Sequence, residues 1–235
     1  MSIELPVVGY RKLSVADYPG WRCAALTVPG CNLRCPHCPH EELVHHHVPM
    51  EKIPVEELLE SLYPRVGFLD AVTLTGGEPL LHKGLPDFLR EVKLLGLYVK
   101  LDTNASKPNA LRRIMEKRLV DYLSVHVVAP LGRYKEVSRS RVRVDAVRDS
   151  VKMVRRSGVP HEFIFTPVPG ILGSEDVLDV SRMLAGSRRL VIKRFNPGEC
   201  MDPLLRDTEP YSDAELEALR EVAAPYFSEV EIEKQ

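Results

Sequence analysis

The feature that most constrains this chain is a short loop, GCNLRCPHCPH, that concentrates metal-binding side chains. Cys31, Cys35 and Cys38 fall within eight residues, and His37 and His40 are interleaved with the last of them. A closed zinc site would use three thiolates and one imidazole, whereas a four-iron cluster held by three thiolates would keep one iron open. The spacing alone leaves both interpretations open, so the rest of the chain must decide between them.

A zinc interpretation would add His37, His40 or His45 to the three cysteines as the fourth ligand. The neighbouring run His45–His47 is expected to be a solvated polar loop, because three adjacent imidazoles cannot all face one ion. The chain also does not need a structural metal in order to fold. The chain has 235 residues, 44% of them hydrophobic and 28% charged, and a globular chain of this length buries a core without a metal staple.

Composition argues against several classes of partner. The 32 basic and 33 acidic residues leave a net charge of −1, so we expect no nucleic-acid partner. No apolar run approaches the roughly 20 residues of a membrane span, and the first residues lack the pattern of a signal peptide. Five cysteines, three of them crowded together, favour metal binding in a reducing cytoplasm over disulfides. Cys23, in a strand, and Cys200, in a loop, are expected to be ordinary thiols.

The hydrophobic pattern predicts an α/β fold in which six strand–helix units follow one another along the chain. The strands are expected at residues 22–28, 71–75, 97–103, 121–128, 161–168 and 189–195, and a last helix and a short strand, EVEIE, follow. Such units form a parallel sheet with right-handed crossovers, either a closed barrel or a partial (β/α)6 TIM-like barrel. We expect a single domain over residues 1–235, with a core at about 20–196 and a C-terminal extension at about 197–235.

Unusual polar residues follow the predicted strands at the points where the strands end. They are the cysteine loop after the first strand, GGEP after the second, DTN after the third, and then His126, Thr166 and the pair Lys193–Arg194. In barrel-like α/β folds the carboxyl ends of the strands form the mouth of the active site. These residues are therefore expected to meet in one site.

The pairing of CxxxCxxC after the first strand with TGGEP after the second resembles the radical S-adenosylmethionine (SAM) superfamily. The resemblance implies a [4Fe-4S] cluster on Cys31, Cys35 and Cys38, whose open iron chelates the amino and carboxylate groups of SAM. It implies further that an electron from the cluster cleaves SAM to methionine and a 5′-deoxyadenosyl radical, which abstracts a hydrogen atom from the substrate. The two motifs on adjacent units are far more specific together than either is alone.

The resemblance also assigns residues to the SAM pocket, with His37 at the usual aromatic position. The assigned residues are His37, Thr75, Gly76, Gly77, Glu78, Pro79, Asp102 and Thr103. The two glycines let the backbone approach the ligand closely. Glu78 is expected to accept a hydrogen bond from the SAM ammonium group, and Pro79 to stiffen the turn.

A closer resemblance, to the activating enzymes of anaerobic ribonucleotide reductase and related glycyl radical enzymes, covers most of the chain. It rests on LSVADYPGWRCAALTVPGCNLRCPHC, GLPDFLREVKLLGLYVKLDTN, LVDYLSVHVVAPLGRYKEVS, TPVPGI and FNPGECMDP. In that family the radical removes a hydrogen atom from one glycine of a large partner protein. The resemblance implies a glycyl radical enzyme as protein substrate, a flavodoxin or ferredoxin as electron donor, and an anaerobic setting. The cysteine-free stretch between Cys38 and Gly76 fits the compact members with a single cluster.

The sequence departs from this family where the fourth and fifth strands end. His126 and Val128 stand where the family usually has Asp and Lys, and Ile164 stands where it tends to have an arginine facing the SAM carboxylate. Asp102 and Thr103, which family members can use for a monovalent cation beside SAM, are present without the second carboxylate.

Two residues are candidates to replace the lost charges. His126 would donate a hydrogen bond to the SAM carboxylate, and Lys193 or Arg194 would supply positive charge. Because successive side chains of a strand point to opposite faces, only one of these two cations is expected to face the mouth of the site. The alternative is a core histidine and two surface cations.

Exposed basic runs such as Arg139–Arg143 are expected mainly to be solvated, with docking of an acidic electron donor as the lesser alternative. The departures leave two other functions open: a radical SAM reaction on another peptide or small molecule, or a metal-binding homologue without turnover.

Overall fold

The structure, a computed structural model, describes residues 3–44 and 49–234. The predicted solvated loop His45–His47 lies outside the described residues. Within the described ranges, eight strands form one sheet in chain order. Their bounds are β1 Gly9–Ser14, β2 Cys23–Val28, β3 Ala71–Gly76, β4 Tyr98–Thr103, β5 Tyr122–His126, β6 His161–Phe165, β7 Arg189–Lys193 and β8 Glu229–Glu233.

The predicted α/β fold with a parallel, partial-barrel sheet is confirmed. Every neighbouring pair from β2 to β8 is parallel, whereas β1 pairs antiparallel with β2. In the part of the chain that the structure describes, β1 and β8 do not pair with each other, so the barrel stays open on that side. The sequence pattern does not predict β1, because GYRKLS is partly exposed and lacks an alternation of apolar residues.

Helices connect the strands and cover the outside of the sheet. Those in the described ranges are α1 Glu41–Val44, α2 Val55–Leu62, α3 Leu85–Leu94, α4 Pro108–Glu116, α5 Tyr134–Val137, α6 Val144–Arg156, α7 Ser174–Leu184 and α8 Asp213–Ala223. In α3 the residues Leu85, Phe88, Leu89 and Val92 recur at helical spacing and are all buried. Gly96, with a φ of 78°, then stops the helix as predicted. None of these helices combines the length and apolar character that a bilayer span requires.

The inner face of the sheet carries charged side chains beneath its carboxyl end. Lys100 on β4 and Glu162 on β6 are 6% and 7% exposed, and Lys100 Nζ lies 3.8 Å from Glu162 Oε1. Lys100 Nζ also lies 3.5 Å from Asp102 Oδ1 and donates to the carbonyl oxygen of Asp17 at 2.7 Å. Ser124 on β5 donates to Glu162. Because buried charges are costly unless they are paired, these contacts favour one arrangement of β4, β5 and β6.

Aromatic rings fill the opposite, amino-terminal end of the strands. The ring centroid of Tyr18 lies 5.8 Å from that of Trp21 and 5.4 Å from that of Tyr122, and Trp21 lies 4.7 Å from Tyr98. Tilted pairs of this kind are favourable. The polar interior is therefore covered at this end, and a ligand has access from the carboxyl ends of the strands.

The C-terminal segment continues the sheet. β8 runs parallel to β7, with Arg189 opposite Glu229 and Lys193 opposite Glu233. Both are also ion pairs, with Arg189 Nη1 3.2 Å from Glu229 Oε1 and Lys193 Nζ 2.8 Å from Glu233 Oε1. The extension predicted at about 197–235 therefore contributes acidic side chains to the edge of the sheet.

Candidate active site

A cleft opens at the carboxyl ends of β2 to β7, and it encloses about 1010 Å³ including its solvent-open mouth. The predicted site residues that line the cleft are Cys31, Cys35, His37, Cys38, Thr75, Gly76, Gly77, Asp102, Thr103, His126 and Lys193. The fold thus brings predicted residues from the ends of five strands, β2 to β5 and β7, to one place.

The three cysteines present free thiols on one wall of the cleft. Burial raises the pKa of all three thiols, that of Cys38 to about 11. Since metals bind thiolates, loading the site must release protons. In residues 3–44 and 49–234, no three His, Cys, Asp or Glu side chains surround one ion position.

Neighbouring loops hold the cysteine loop in place. The Arg34 N–H donates to the carbonyl of Ser138 at 2.8 Å, and the Met201 N–H donates to the carbonyl of Cys38 at 3.0 Å. The Arg34 guanidinium also donates to the carbonyl of Cys31 at 2.6 Å. These bonds arrange the thiols in advance of metal binding, as a precise ligand geometry requires.

The glycines of GGEP bring the end of β3 into contact with the cysteine loop. The Gly77 N–H donates to the carbonyl of Val28 at 2.9 Å, and the Glu78 N–H donates to that of Gly30 at 2.7 Å. A Cβ atom on Gly77 would lie 2.1 Å from the Gly30 carbonyl oxygen, and Gly76 has a φ of 119°. A Cβ atom on Gly76 would also lie 2.3 Å from the Val28 carbonyl oxygen, so space requires glycine at both positions and conformation requires it at Gly76 as well.

Glu78 lies outside the cleft, which differs from its expected contact with the SAM ammonium group. Its carboxylate is fully buried and accepts from the Thr103 hydroxyl at 2.8 Å, the Leu80 N–H at 3.0 Å and the Asn104 N–H at 2.6 Å. Burial raises the pKa of Glu78 to about 7, although these donors act in the opposite direction. Glu78 thus ties the GGEP turn to the loop after β4. Pro79 is also buried and outside the cleft.

Polar side chains from β4 and β5 form the floor of the cleft. Burial lowers the pKa of His126, although Asp102 acts in the opposite direction, so the imidazole is neutral near pH 7. Among the described residues, Asp102 Oδ1 is buried without a hydrogen-bond partner, and its nearest ionic neighbour is Lys100. Buried acceptors usually have a partner, so Asp102 retains capacity to accept a further hydrogen bond.

Lys193 and Arg194 both line the cleft, so the expectation that only one of them faces the mouth is wrong. β7 ends at Lys193, and strand alternation therefore does not apply to Arg194. Each cation has an acidic partner from the C-terminal segment, Glu233 for Lys193 and Asp213 for Arg194.

Asn104 and Thr166, which follow β4 and β6, line the cleft as the strand-end pattern predicts. Other lining residues were not predicted from the sequence. Among them, Asn196 follows the end of β7, and Leu33 and Val44 add apolar wall. The two apolar residues carry no chemical signal in the sequence.

The other two cysteines are buried and lie outside the cleft. Cys23 Sγ donates to the carbonyl of Ser14 at 3.4 Å, and Cys200 Sγ donates to the carbonyl of Pro197 at 3.1 Å. The cleft therefore offers three thiolates, which would leave one iron of a four-iron cluster available to another ligand.

Three thiols facing a glycine-rich edge at the mouth of a partial α/β barrel define an iron–sulfur enzyme site. Residues 26–184 match the Radical SAM superfamily, and the chain belongs to that superfamily. The superfamily uses a [4Fe-4S] cluster and SAM.

Relatives differ in function. The "Putative glycyl-radical enzyme activating enzyme MJ1227" of Methanocaldococcus jannaschii is 27% identical over 231 residues, which cover 96% of this chain and 95% of that protein. A GTP 3′,8-cyclase of Alkaliphilus metalliredigens is 23% identical over 190 residues, which cover 75% of this chain and 52% of that protein. Among solved structures, Streptococcus suis SuiB bound to precursor peptide SuiA has a TM-score of 0.67 and 15% identity, and covers 87% of this chain.

This chain spans about half the length of the cyclase and of SuiB, 52% and 46% respectively. At 15% identity, the likeness to SuiB shows the fold alone.

The residues of the cleft fit the two groups that the superfamily uses. Three free thiols form a donor set for three irons of a cluster. Beside them, the backbone of Gly77 approaches Gly30 so closely that any side chain would fill the space. On the floor, Asp102 retains an acceptor and His126 is a neutral imidazole, both suited to a zwitterionic ligand.

The close contact at Gly77 predicts a large effect of one methyl group. Gly77→Ala should lower the free energy of unfolding by about 2 kcal/mol, because the methyl group meets the Gly30 carbonyl. Gly132→Ala is the control, since a Cβ atom there meets nothing within 4 Å. Denaturant unfolding measures both variants. Equal stability losses would contradict the close contact.

Glu78→Gln should destabilise the protein, because one amide oxygen cannot serve donors on both sides of the original carboxylate. The difference in the free energy of unfolding between the wild type and Glu78→Gln should also depend on pH. A folded-state pKa of about 7, above the ordinary 4.5, means that the folded protein binds the proton more tightly. The contribution of Glu78 to the free energy of unfolding is therefore present at low pH and declines as pH rises from about 4.5 to about 7.

Denaturant unfolding at pH 5 and pH 8, at equal cluster content, measures this dependence. The advantage of the wild type over Glu78→Gln should be larger at pH 5. A larger advantage at pH 8 would show that the three donors, rather than burial, control the charge of Glu78.

Proposed function

We propose that this chain activates a glycyl radical enzyme, with an anaerobic ribonucleotide reductase as the partner. The observation that carries the proposal is the match to the glycyl-radical enzyme activating relative over 96% of this chain and 95% of that protein. That match extends beyond the superfamily region at 26–184 into the C-terminal segment. Two of the five cysteines lie outside the cleft, so the chain provides ligands for one cluster, as compact activating enzymes do.

When bound, the cluster would supply the electron for the reductive cleavage of SAM, and in this proposal the radical chemistry that follows would remove a hydrogen atom from a glycine of the partner. In this proposal the residues of the chain bind SAM and orient it. The edge formed by Gly76 and Gly77 accommodates the methionine end of SAM beside the cysteine loop. His37 would form a wall of the SAM pocket, neutral His126 would donate an N–H to the SAM carboxylate, and Lys193 would add positive charge nearby.

An exposed basic face beside the cysteine loop supports an acidic flavodoxin or ferredoxin as electron donor. Arg34 lies in the loop, and its hydrogen bond to Ser138 brings the following basic run next to it. Arg139 and Arg141 of that run are exposed. Opposite charges of this kind speed the encounter of transient partners, and salt weakens their effect.

We place the protein in an oxygen-poor cytoplasm, with neither nucleic acid nor a membrane as a partner. The net charge of −1 and five free cysteines support this placement.

A different radical SAM reaction, on a small molecule or another peptide, is the second candidate. His126 and Val128 line the cleft in place of the charged pair that activating enzymes usually carry. Matches to GTP 3′,8-cyclases favour the same alternative, although they cover only 52% and 49% of two such enzymes.

The proposal requires SAM cleavage followed by radical transfer. Anaerobically reconstituted protein with dithionite and SAM should form 5′-deoxyadenosine, and adding an anaerobic ribonucleotide reductase should produce the EPR doublet of a glycyl radical. Cys35→Ala, which removes a cluster ligand, should give neither product. Deoxyadenosine without the doublet would favour the second candidate, and no deoxyadenosine would indicate a homologue without turnover.

Removing the proposed carboxylate contacts should weaken SAM binding to the reconstituted protein. His126→Ala and Lys193→Ala should each raise the dissociation constant about tenfold, because hydrogen bonds to charged groups contribute about 1.5–3 kcal/mol. Lys152→Ala, which removes an exposed lysine of α6, should leave the constant unchanged. Equal constants in all four proteins would show that neither residue contacts SAM.

A further inference from the structure

We propose that Asn104 raises the reduction potential of the cluster by donating its side-chain N–H to the sulfur of Cys31. Asn104 is then a positioning residue that acts through a ligand. The inference needs the cluster on the three cysteines, which the superfamily uses, and it does not depend on the partner proposed above.

Two N–H groups of the described residues point at the Cys31 sulfur. The Leu33 backbone nitrogen lies 3.4 Å from Sγ, and Asn104 Nδ2 lies 3.7 Å from it. The Leu33 contact is local to the cysteine loop. The Asn104 contact reaches across from the loop after β4, so it is a separate feature that the turn geometry of the cysteine loop does not require.

Other hydrogen bonds set the orientation of the Asn104 amide. Its Oδ1 accepts from the Ser106 backbone N–H at 3.0 Å, which leaves Nδ2 to face the cysteine loop. Nδ2 has two N–H groups, and it contacts Asn32 Oδ1 at 3.2 Å as well as Cys31. Asn32 Nδ2 in turn donates to the Ser106 hydroxyl at 2.9 Å. A flipped amide would lose the Ser106 and Asn32 bonds and place oxygen against sulfur.

The backbone around Asn104 is also held in place. Its N–H donates to the buried Glu78 carboxylate at 2.6 Å. The next residue, Ala105, has a φ of 54°, and its N–H donates to the Thr103 hydroxyl at 3.0 Å. A non-glycine residue in this conformation persists only where its surroundings hold it, and such residues cluster at functional sites. Glu78 and Thr103 thus position the amide that reaches Cys31.

Hydrogen bonds to the sulfurs of a cluster are among the factors that set its potential, because they stabilise the reduced, more negative state. Asn104 is 7% exposed, so water cannot readily replace its N–H. Removing it should make the cluster harder to reduce. We expect about a tenfold change in the ratio of reduced to oxidised cluster at a fixed potential, which is about 59 mV for a one-electron couple.

A redox titration of reconstituted protein, followed by the EPR signal of the reduced cluster, measures the potential without turnover. Asn104→Leu, similar in size but without the N–H, should shift the midpoint about 59 mV more negative. Asn104→Asp, which places an oxygen against the sulfur, should shift it in the same direction at least as far.

Ser106→Ala is the matched control, because it removes a hydroxyl from the same group of side chains and leaves the N–H···S contact in place. Its midpoint should equal that of the wild type. Unchanged midpoints in both Asn104 variants would overturn the inference, as would a shift in Ser106→Ala equal to that in Asn104→Leu.

A second readout uses the wild-type protein, and so does not depend on a variant that folds. Asparagine labelled with ¹⁵N in the side chain should give a hyperfine coupling to the reduced cluster by pulsed EPR, and Asn104→Leu should lack it. No coupling in the wild type, or a protein that assembles no cluster, would overturn the inference. Midpoint shifts together with a failure to form a glycyl radical would overturn the proposed function alone.

Discussion

The site depends on one backbone contact, the approach of Gly77 to Gly30 at the carboxyl ends of β2 and β3. Parallel pairing places Val28 opposite Gly76, so the loops that follow the two strands begin at the same level. The N–H groups of Gly77 and Glu78 then donate to the carbonyls of Val28 and Gly30. Two motifs far apart in sequence thereby become one wall, which explains why the pair is specific and either motif alone is not.

Buried polar and charged groups support this wall from below. Glu78 receives donors from the loop after β4, and Lys100 sits between Asp102 and Glu162 inside the sheet. Because these groups are satisfied largely by one another, the structure tolerates a polar interior where branched apolar residues are usual. The cleft above is lined by the cysteine thiols, Asp102, a neutral His126 and cations at its edge.

The sequence predicts the parallel sheet, the strand-end site and the thiol cluster because each depends on a local pattern of residues. These patterns are the alternation of apolar and polar residues, the turn glycines and the cysteine spacing. Contacts between distant side chains are not local. The donors to Glu78 come largely from the end of β4 and the loop after it, so GGEP alone does not predict that this carboxylate is buried outside the cleft. The Lys193–Arg194 expectation failed because it depended on the last residue of β7, and strand ends are uncertain by a few residues.

The superfamily scaffold supports many reactions, and the substrate follows from the site and its partner rather than from the fold. What every such reaction requires of this chain is a cluster on Cys31, Cys35 and Cys38 with one iron open to SAM. EPR of the anaerobically reconstituted, reduced protein with and without SAM tests this most directly. We expect a brown protein with about four irons per chain, whose signal changes when SAM is added. A colourless zinc protein, or a cluster signal that SAM leaves unchanged, would contradict the account.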